Sequence, residues 1–296
     1  GLTWPEKLGE ELGRSFRKVW TNNAGMDGHT TFGHRALLDE YIFRLKPKVV
    51  IFLVGSNDMG KDAATRMDRL LTENGPDRPL SARLFVAAAS RSAVASLARN
   101  LYLSFRAREA GLGHRETDFV SLKPVAAPPG LLARVLADHG AHVPAYRARL
   151  EALARDAKAA GIEPVFATTP LPCGSGKDPA TGADLALMPL PEGSPFVNCG
   201  VQWAALELYN DATRKAAASS GSALVDLAVR LPKDTRYFYD FSHFTAEGTA
   251  EAARIMYSEL CPRLAAEYPD LFTGKCFSTA KNGVAGQARA GRGVGP

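Results

Sequence analysis

Apolar residues in this chain fall into short uninterrupted runs and stripes of helical period, and the two alternate along much of its length. The clearest run, Val49-Val50-Ile51-Phe52-Leu53-Val54, predicts a parallel strand covered on both faces. Before it, Leu37, Leu38, Tyr41, Ile42 and Leu45 recur at helical spacing, giving a helix from about Thr31 that Pro47 stops. Thr3-Trp4-Pro5-Glu6 reads as a helix start: Thr3 caps, Pro5 fits the first turn and Glu6 completes a capping box. That helix should end near Gly13, and Phe16 to Thr21 then reads as a short strand running into Asn22-Asn23-Ala24-Gly25.

Downstream, Tyr146, Leu150, Leu153 and Ala157 mark a helix ended by Gly161, followed by a strand from Pro164 to Thr168. A long loop covers Pro170 to Pro195, then come a helix from about Val201 to Ser219, a strand from Ala223 to Leu227, and a helix from Ala246 to about Ala266. Strands separated by helices predict an α/β fold with a doubly wound parallel sheet. The stretch from about Asn74 to Ala141 is less regular. Val94, Leu97, Leu101 and Phe105 form a helical stripe there, among Arg91, Arg99, Arg106 and Arg108. This stretch reads as a largely helical insertion whose helix packs its stripe inward and solvates its arginines; contact with a membrane surface is the alternative. The expected organisation is one domain over 1–272, with the insertion at about 74–141, and a C-terminal tail over 273–296, disordered from Ser278.

Composition narrows the classes. With 296 residues and 46% hydrophobic content, the chain can bury one large core. No run of about eighteen apolar residues predicts a membrane-spanning helix. Gly1-Leu2-Thr3-Trp4-Pro5 is not a signal peptide and lacks an initiator Met, so the chain is expected to be a fragment or a processed form. Of the net charge of +5, Lys281, Arg289 and Arg292 in the acid-free tail supply three; the remaining +2 gives no reason to expect a nucleic-acid partner. Cys173, Cys199, Cys261 and Cys276 have no CxxC spacing, which argues against zinc. They permit Cys173–Cys199 and Cys261–Cys276 disulfides, which would imply export; four free thiols is the open alternative.

In open α/β sheets, ligands sit beyond the carboxyl ends of the strands. Three predicted strand ends deliver polar groups there: Asn22-Asn23-Ala24-Gly25, Gly55-Ser56-Asn57-Asp58, and Asp240-Phe241-Ser242-His243 before the last helix. These groups suit acyl transfer. A serine hydroxyl needs a base, and His243 titrates in the right range. Asp240, three residues earlier, can hold its other ring nitrogen. The Gly25 N–H and the Asn57 amide can serve a tetrahedral oxyanion, with Asp58 supporting the loop. Asp138, His139 and His142 have metal-like spacing but no third ligand, and read as a solvated helix end. His29 and His34 read as polar residues of a helix start rather than lining of the cleft.

In order and placement, these blocks resemble the SGNH (GDSL-type) hydrolases, over nearly all of Leu2 to Leu264. Gly25 matches the second block of that family, Gly55-Ser56-Asn57-Asp58 the third and Asp240-Phe241-Ser242-His243 the last. The resemblance implies a flavodoxin-like, three-layer α/β/α fold. It also implies a serine-dependent hydrolase of small-acyl or carbohydrate esters with an acyl-enzyme intermediate and no metal or organic cofactor. The family's Gly-Asp-Ser block is absent, so the nucleophile and the first central strand are expected upstream of Gly1, and the chain alone is expected to be inactive. Loss of that strand would leave unpaired inner edges or force the Phe16–Thr21 and Val49–Val54 strands together. The alternative from another class is a non-catalytic carbohydrate- or acyl-binding module; a flavodoxin-like nucleotide binder is disfavoured, because no Gly-rich loop follows a strand. The expected partner is a small-molecule or glycan ester, and the sequence assigns neither membrane attachment nor oligomeric state.

Overall fold

The computed structural model describes residues 3–73, 92–95, 97–98, 101, 105 and 116–277. In chain order its elements begin with α1 (Trp4–Gly13), α2 (Thr31–Leu37), a π-helical turn (Leu38–Ile42), α3 (Phe43–Leu45), β1 (Val49–Val54) and α4 (Arg66–Glu73). After the insertion come α5 (Leu131–Ala159), β2 (Glu163–Thr168), α6 (Cys199–Ser220), β3 (Ala223–Val225), α7 (Leu227–Arg230) and α8 (Ala246–Glu267). The strands form a parallel sheet in the order β1-β2-β3, with Val49 opposite Glu163 and Val165 opposite Ala223.

Side chains alternate across this sheet, so each strand feeds two cores. Phe52, Val54 and Phe166 pack with Tyr146, Leu150 and Leu153 of α5 and Leu206 and Tyr209 of α6. Val165, Ala167 and Val225 pack on the other face with Leu8 and Leu12 of α1 and Ile255, Met256 and Leu260 of α8. The result is the three-layer α/β/α arrangement expected, doubly wound around a parallel sheet.

Two expectations give way. Residues 16–21 form no strand: Phe16 makes one antiparallel bridge to Phe272, and Lys18 adopts φ 59°, which breaks an extended run. They do not pair with β1, whose outer edge meets no strand among the described residues. Val49, Val50, Ile51 and Leu53 accordingly remain half-buried, whereas Pro164–Thr168 of central β2 are all buried. The second concerns the stripe of the insertion. Val94, Leu97, Leu101 and Phe105 lie in solvent rather than against the core. Both sheet faces are already covered, by α1 and α8 on one side and α5 and α6 on the other.

Disulfides join Cys173 to Cys199 and Cys261 to Cys276, as an exported protein allows. The second ties down the chain after α8, where the Phe277 N–H also donates to Tyr257 Oη. The tail expected to be disordered from Ser278 lies outside the described residues. No described helix is long and apolar enough to cross a membrane.

Candidate active site

The loop between β3 and α8 is built to present one imidazole. A carboxylate can close a tight turn by accepting backbone N–H groups, and the Oδ1 of Asp240 accepts from both Ser242 and His243 at 2.8 Å. The same carboxylate receives the ring Nδ1–H of His243 at 2.8 and 3.0 Å. This bond fixes the tautomer and leaves Nε2 as the basic edge. The contact with Asp240 raises the pKa of His243 against the effect of burial, and the negative charge of Asp27 adds to it. Burial pushes Asp240 up, but the imidazole and the two amides outweigh it and hold Asp240 below the usual carboxylate value.

The surroundings brace this loop. Tyr239 stacks on the His243 ring, centroids 5.6 Å apart, and its N–H donates to the His243 carbonyl at 3.0 Å. Phe241 is buried edge-on against Phe119 at 5.3 Å, while the Thr117 N–H donates to the Tyr239 carbonyl at 2.8 Å. Thr245 caps α8 by accepting from Gly248, and a Cβ at Gly248 would collide with the Tyr237 carbonyl at 1.9 Å. The helix therefore starts hard against the loop.

The loop after β2 is pinned just upstream of the same segment. Asp178, buried, accepts from the N–H and hydroxyl of Thr235 at 3.0 and 2.6 Å and also from Thr181. Lys233 lies over the Trp203 ring and donates to the Leu171 carbonyl; burial holds it down to about 7. Between the Glu116–Val120 segment, Thr181 and Thr235 opens a cavity of about 530 Å³.

The second group of expected residues lies at the end of β1. Gly55 turns the chain with φ 127° and ψ −47°, a conformation that favours glycine, and Ser56–Asp58 form a single 3-10 turn. Asn57 projects into solvent while its Nδ2 donates to the His29 carbonyl at 3.0 Å, so one of its two amide hydrogens remains for a ligand. Asp58 is buried and receives the Thr31 N–H at 3.0 Å and hydroxyl at 2.6 Å. Arg149 of α5 donates to the same hydroxyl at 2.7 Å and stands 3.5 Å from the carboxylate. Burial still pushes Asp58 up.

Gly25 sits in an exposed turn, and its N–H donates to Asn23 Oδ1 at 2.9 Å. For that N–H to bind an oxyanion, the incoming oxygen must replace Asn23. Asp27, two residues further on, acts electrostatically on both His243 and Tyr239.

His29 is buried with no well-formed hydrogen bond at either ring nitrogen, and burial lowers its pKa. Burial, then the neighbouring His29, push His34 down to about 4, so both rings are neutral near pH 7. Only the His29 backbone carbonyl reaches the site. His142 bonds Asp62 at 2.7 Å on the surface, and among the described residues no cluster of three His, Cys, Asp or Glu is arranged to hold a metal. Sequence reasoning missed Thr117, Phe119, Tyr239 and Arg149. A Tyr next to an Asp-x-x-His motif was a readable signal; the others reach the site across long chain separations that local spacing does not encode.

A family model described as the GDSL-like lipase/acylhydrolase family matches residues 1–250. No curated protein matches the chain. Among solved structures, an acetyl xylan esterase is similar at 12% identity and a TM-score of 0.45, over 87% of this chain and 90% of that one.

Proposed function

The chain belongs to the GDSL-like lipase/acylhydrolase family, and on that premise we propose that it is the acid–base and oxyanion part of a serine-dependent hydrolase of small-acyl or carbohydrate esters. The observation that carries this reading is the two-point hold of Asp240 on His243 Nδ1. In the proposed reaction, a serine supplied by sequence preceding Gly1 gives its proton to His243 Nε2 as its oxygen attacks the ester carbonyl. The Asn57 amide, with the Gly25 N–H once it releases Asn23, binds the resulting oxyanion. His243 then protonates the departing alcohol, leaving an acyl-enzyme. Water, deprotonated by the same nitrogen, attacks the acyl carbon and restores the serine.

The test is hydrolysis of an aryl acetate by a protein that includes the coding sequence upstream of Gly1. Activity should rise with pH through the His243 titration and fall by about 10³-fold or more in His243→Ala. Full activity in that variant would end the assignment. The second reading, a binding module on the same fold, draws on the Gly25 N–H being satisfied by Asn23. Acetylated oligosaccharide that binds to the extended protein and is never cleaved would favour it.

A further inference from the structure

Asn57 is gripped from two directions, and both lead to one side chain of α5. Its Nδ2 donates to the carbonyl of His29 at 3.0 Å, just before Thr31 at the start of α2. Its own chain continues into Asp58, whose Oδ1 accepts the N–H and hydroxyl of that same Thr31 at 3.0 and 2.6 Å. Arg149 closes the ring. Its Nε donates to the Thr31 hydroxyl at 2.7 Å, and its Nη2 donates to the Lys61 carbonyl at 3.2 Å, further along the loop after β1. The guanidinium carbon also lies 4.4 Å from the centre of the Phe32 ring, next to Thr31.

The chemistry of these donors makes the ring directional. A guanidinium can only donate, so Nε occupies the Thr31 oxygen as an acceptor and leaves its one proton for Asp58. An arginine present merely to neutralise a buried carboxylate would meet it fork to fork, through two short bonds. Here the nearest approach to Asp58 is 3.5 Å, and the two hydrogen bonds go instead to Thr31 and Lys61, one on each of the segments that hold Asn57. Those segments are tied together from a third element, a helix of 29 residues that packs on the sheet through Tyr146, Leu150 and Leu153. We propose that Arg149 is the positioning residue of the oxyanion side: it fixes the start of α2 against the loop after β1 and thereby aims the second amide hydrogen of Asn57, a role that rests on the reading of Asn57 as an oxyanion donor.

The experiment has two parts. In the full chain, the Nδ2 hydrogens of Asn57 give a pair of NMR signals, assigned by their loss in Asn57→Ala. Arg149→Met should move this pair toward the shifts of a free Asn amide. Arg149→Lys should do the same, because one ammonium does not reproduce the planar fork. Thr31→Val keeps both charges and removes only the shared hydroxyl; it should move the pair in the same direction, and it remains informative if Arg149→Met does not fold. Arg147→Met, which breaks a surface pair with Glu151 on the same helix, should leave the Asn57 signals in place. An unmoved pair in folded Arg149 and Thr31 variants would overturn the proposal. In a form extended upstream of Gly1, Arg149→Met should lower kcat about tenfold with KM nearly constant. That loss should vanish in an Asn57→Ala background. An equal loss in both backgrounds would make Arg149 a general support of the fold and overturn the proposal. Full activity in Asn57→Ala would remove the oxyanion reading and the proposal with it; that failure is told apart because the amide signals would still move in Arg149→Met.

Discussion

The two halves of the proposed site are held in different ways. On the acid–base side, Asp240, Ser242 and His243 form a self-closing turn, with Tyr239 stacked over the ring and Phe241 buried beneath against Phe119. On the proposed oxyanion side, both Asn57 and Gly25 are exposed and each has a bond to another partner: Asn57 to the His29 carbonyl, Gly25 to Asn23. The anchors on this side are a layer deeper, in Asp58 with Thr31 and Arg149, and in Asp68 with Thr30, Gly33 and Thr65. The imidazole is thus held directly, whereas the proposed oxyanion donors are held only through their backbone. Substitutions should therefore act differently on the two sides.

The largest effect is expected from Asp240→Asn. The amide oxygen can still accept from Ser242 and His243, so the turn persists, but the charge that orients and stabilises the imidazolium is gone. In a form extended upstream of Gly1, kcat should fall about 10³–10⁴-fold. In the chain itself, the His243 pKa followed by NMR should drop toward or below about 6.5. An unchanged imidazole titration would mean that the contact does not act on the ring. Asn57→Ala should cost less, about 10²–10³-fold in kcat with little change in KM, because it removes one oxyanion donor from the transition state. It should leave the His243 titration where it was. Movement of that titration would show that the two halves are coupled, contrary to the comparison.

How much of this was readable follows from the range of the interactions. The Val49–Val54 strand and the helices on Tyr146–Ala157 and Ala246–Glu267 were legible because the period lies within each segment, but the first helix begins earlier than expected, at Leu131 inside the stretch read as insertion, and both helices continue through a proline, Pro144 and Pro262. The Asp240–His243 turn was legible for the same reason: donor and acceptor are three residues apart. Phe16–Thr21 has the apolar content of a strand, but a strand exists only where an edge receives it, and Phe16 finds just Phe272. The Val94–Phe105 stripe had the right period, yet periodicity does not say whether a sheet face is still vacant, and here both faces were taken. The Asp58–Thr31–Arg149 group spans more than a hundred residues and brings together charges that no local pattern pairs.

Phe119→Ala should have a smaller effect on the acid–base side. Deleting the ring leaves Phe241 without its edge contact and gives the catalytic turn room to move, while Asp240 and His243 keep their bond. A loss of about tenfold in kcat is expected, with KM nearly constant, since a small misplacement of the base is felt mainly in the transition state. Rescue by Phe119→Leu would support a positioning role. Equal losses in both variants, tracking their losses in thermal stability, would reduce the residue to core filling.

The smallest effect is the most specific to the comparison. His243 is raised in the folded protein, so its protonated form stabilises the fold fully below its unfolded value of about 6.5 and loses that contribution as pH rises through the higher folded value. Asp240 is lowered, so its contribution is present above about 3.9 and is lost as pH falls through the lower folded value. The ionic part of the pair is therefore complete only between about pH 4 and 6.5 and fades on both sides of that window. The His243 side chain is 38% exposed and Asp240 16%, so solvent screening keeps the contribution to about 1 kcal/mol or less, a few degrees in Tm at most. The melting difference between the native chain and Asp240→Asn should accordingly peak near pH 5–6 and shrink by about pH 9. For Asn57→Ala, whose amide does not titrate and whose hydrogen-bond partner is a backbone carbonyl, the difference should be flat across the same range. If both differences are flat, Asp240 holds His243 as a neutral acceptor, and the stronger hold on the acid–base side is one of geometry and not of charge.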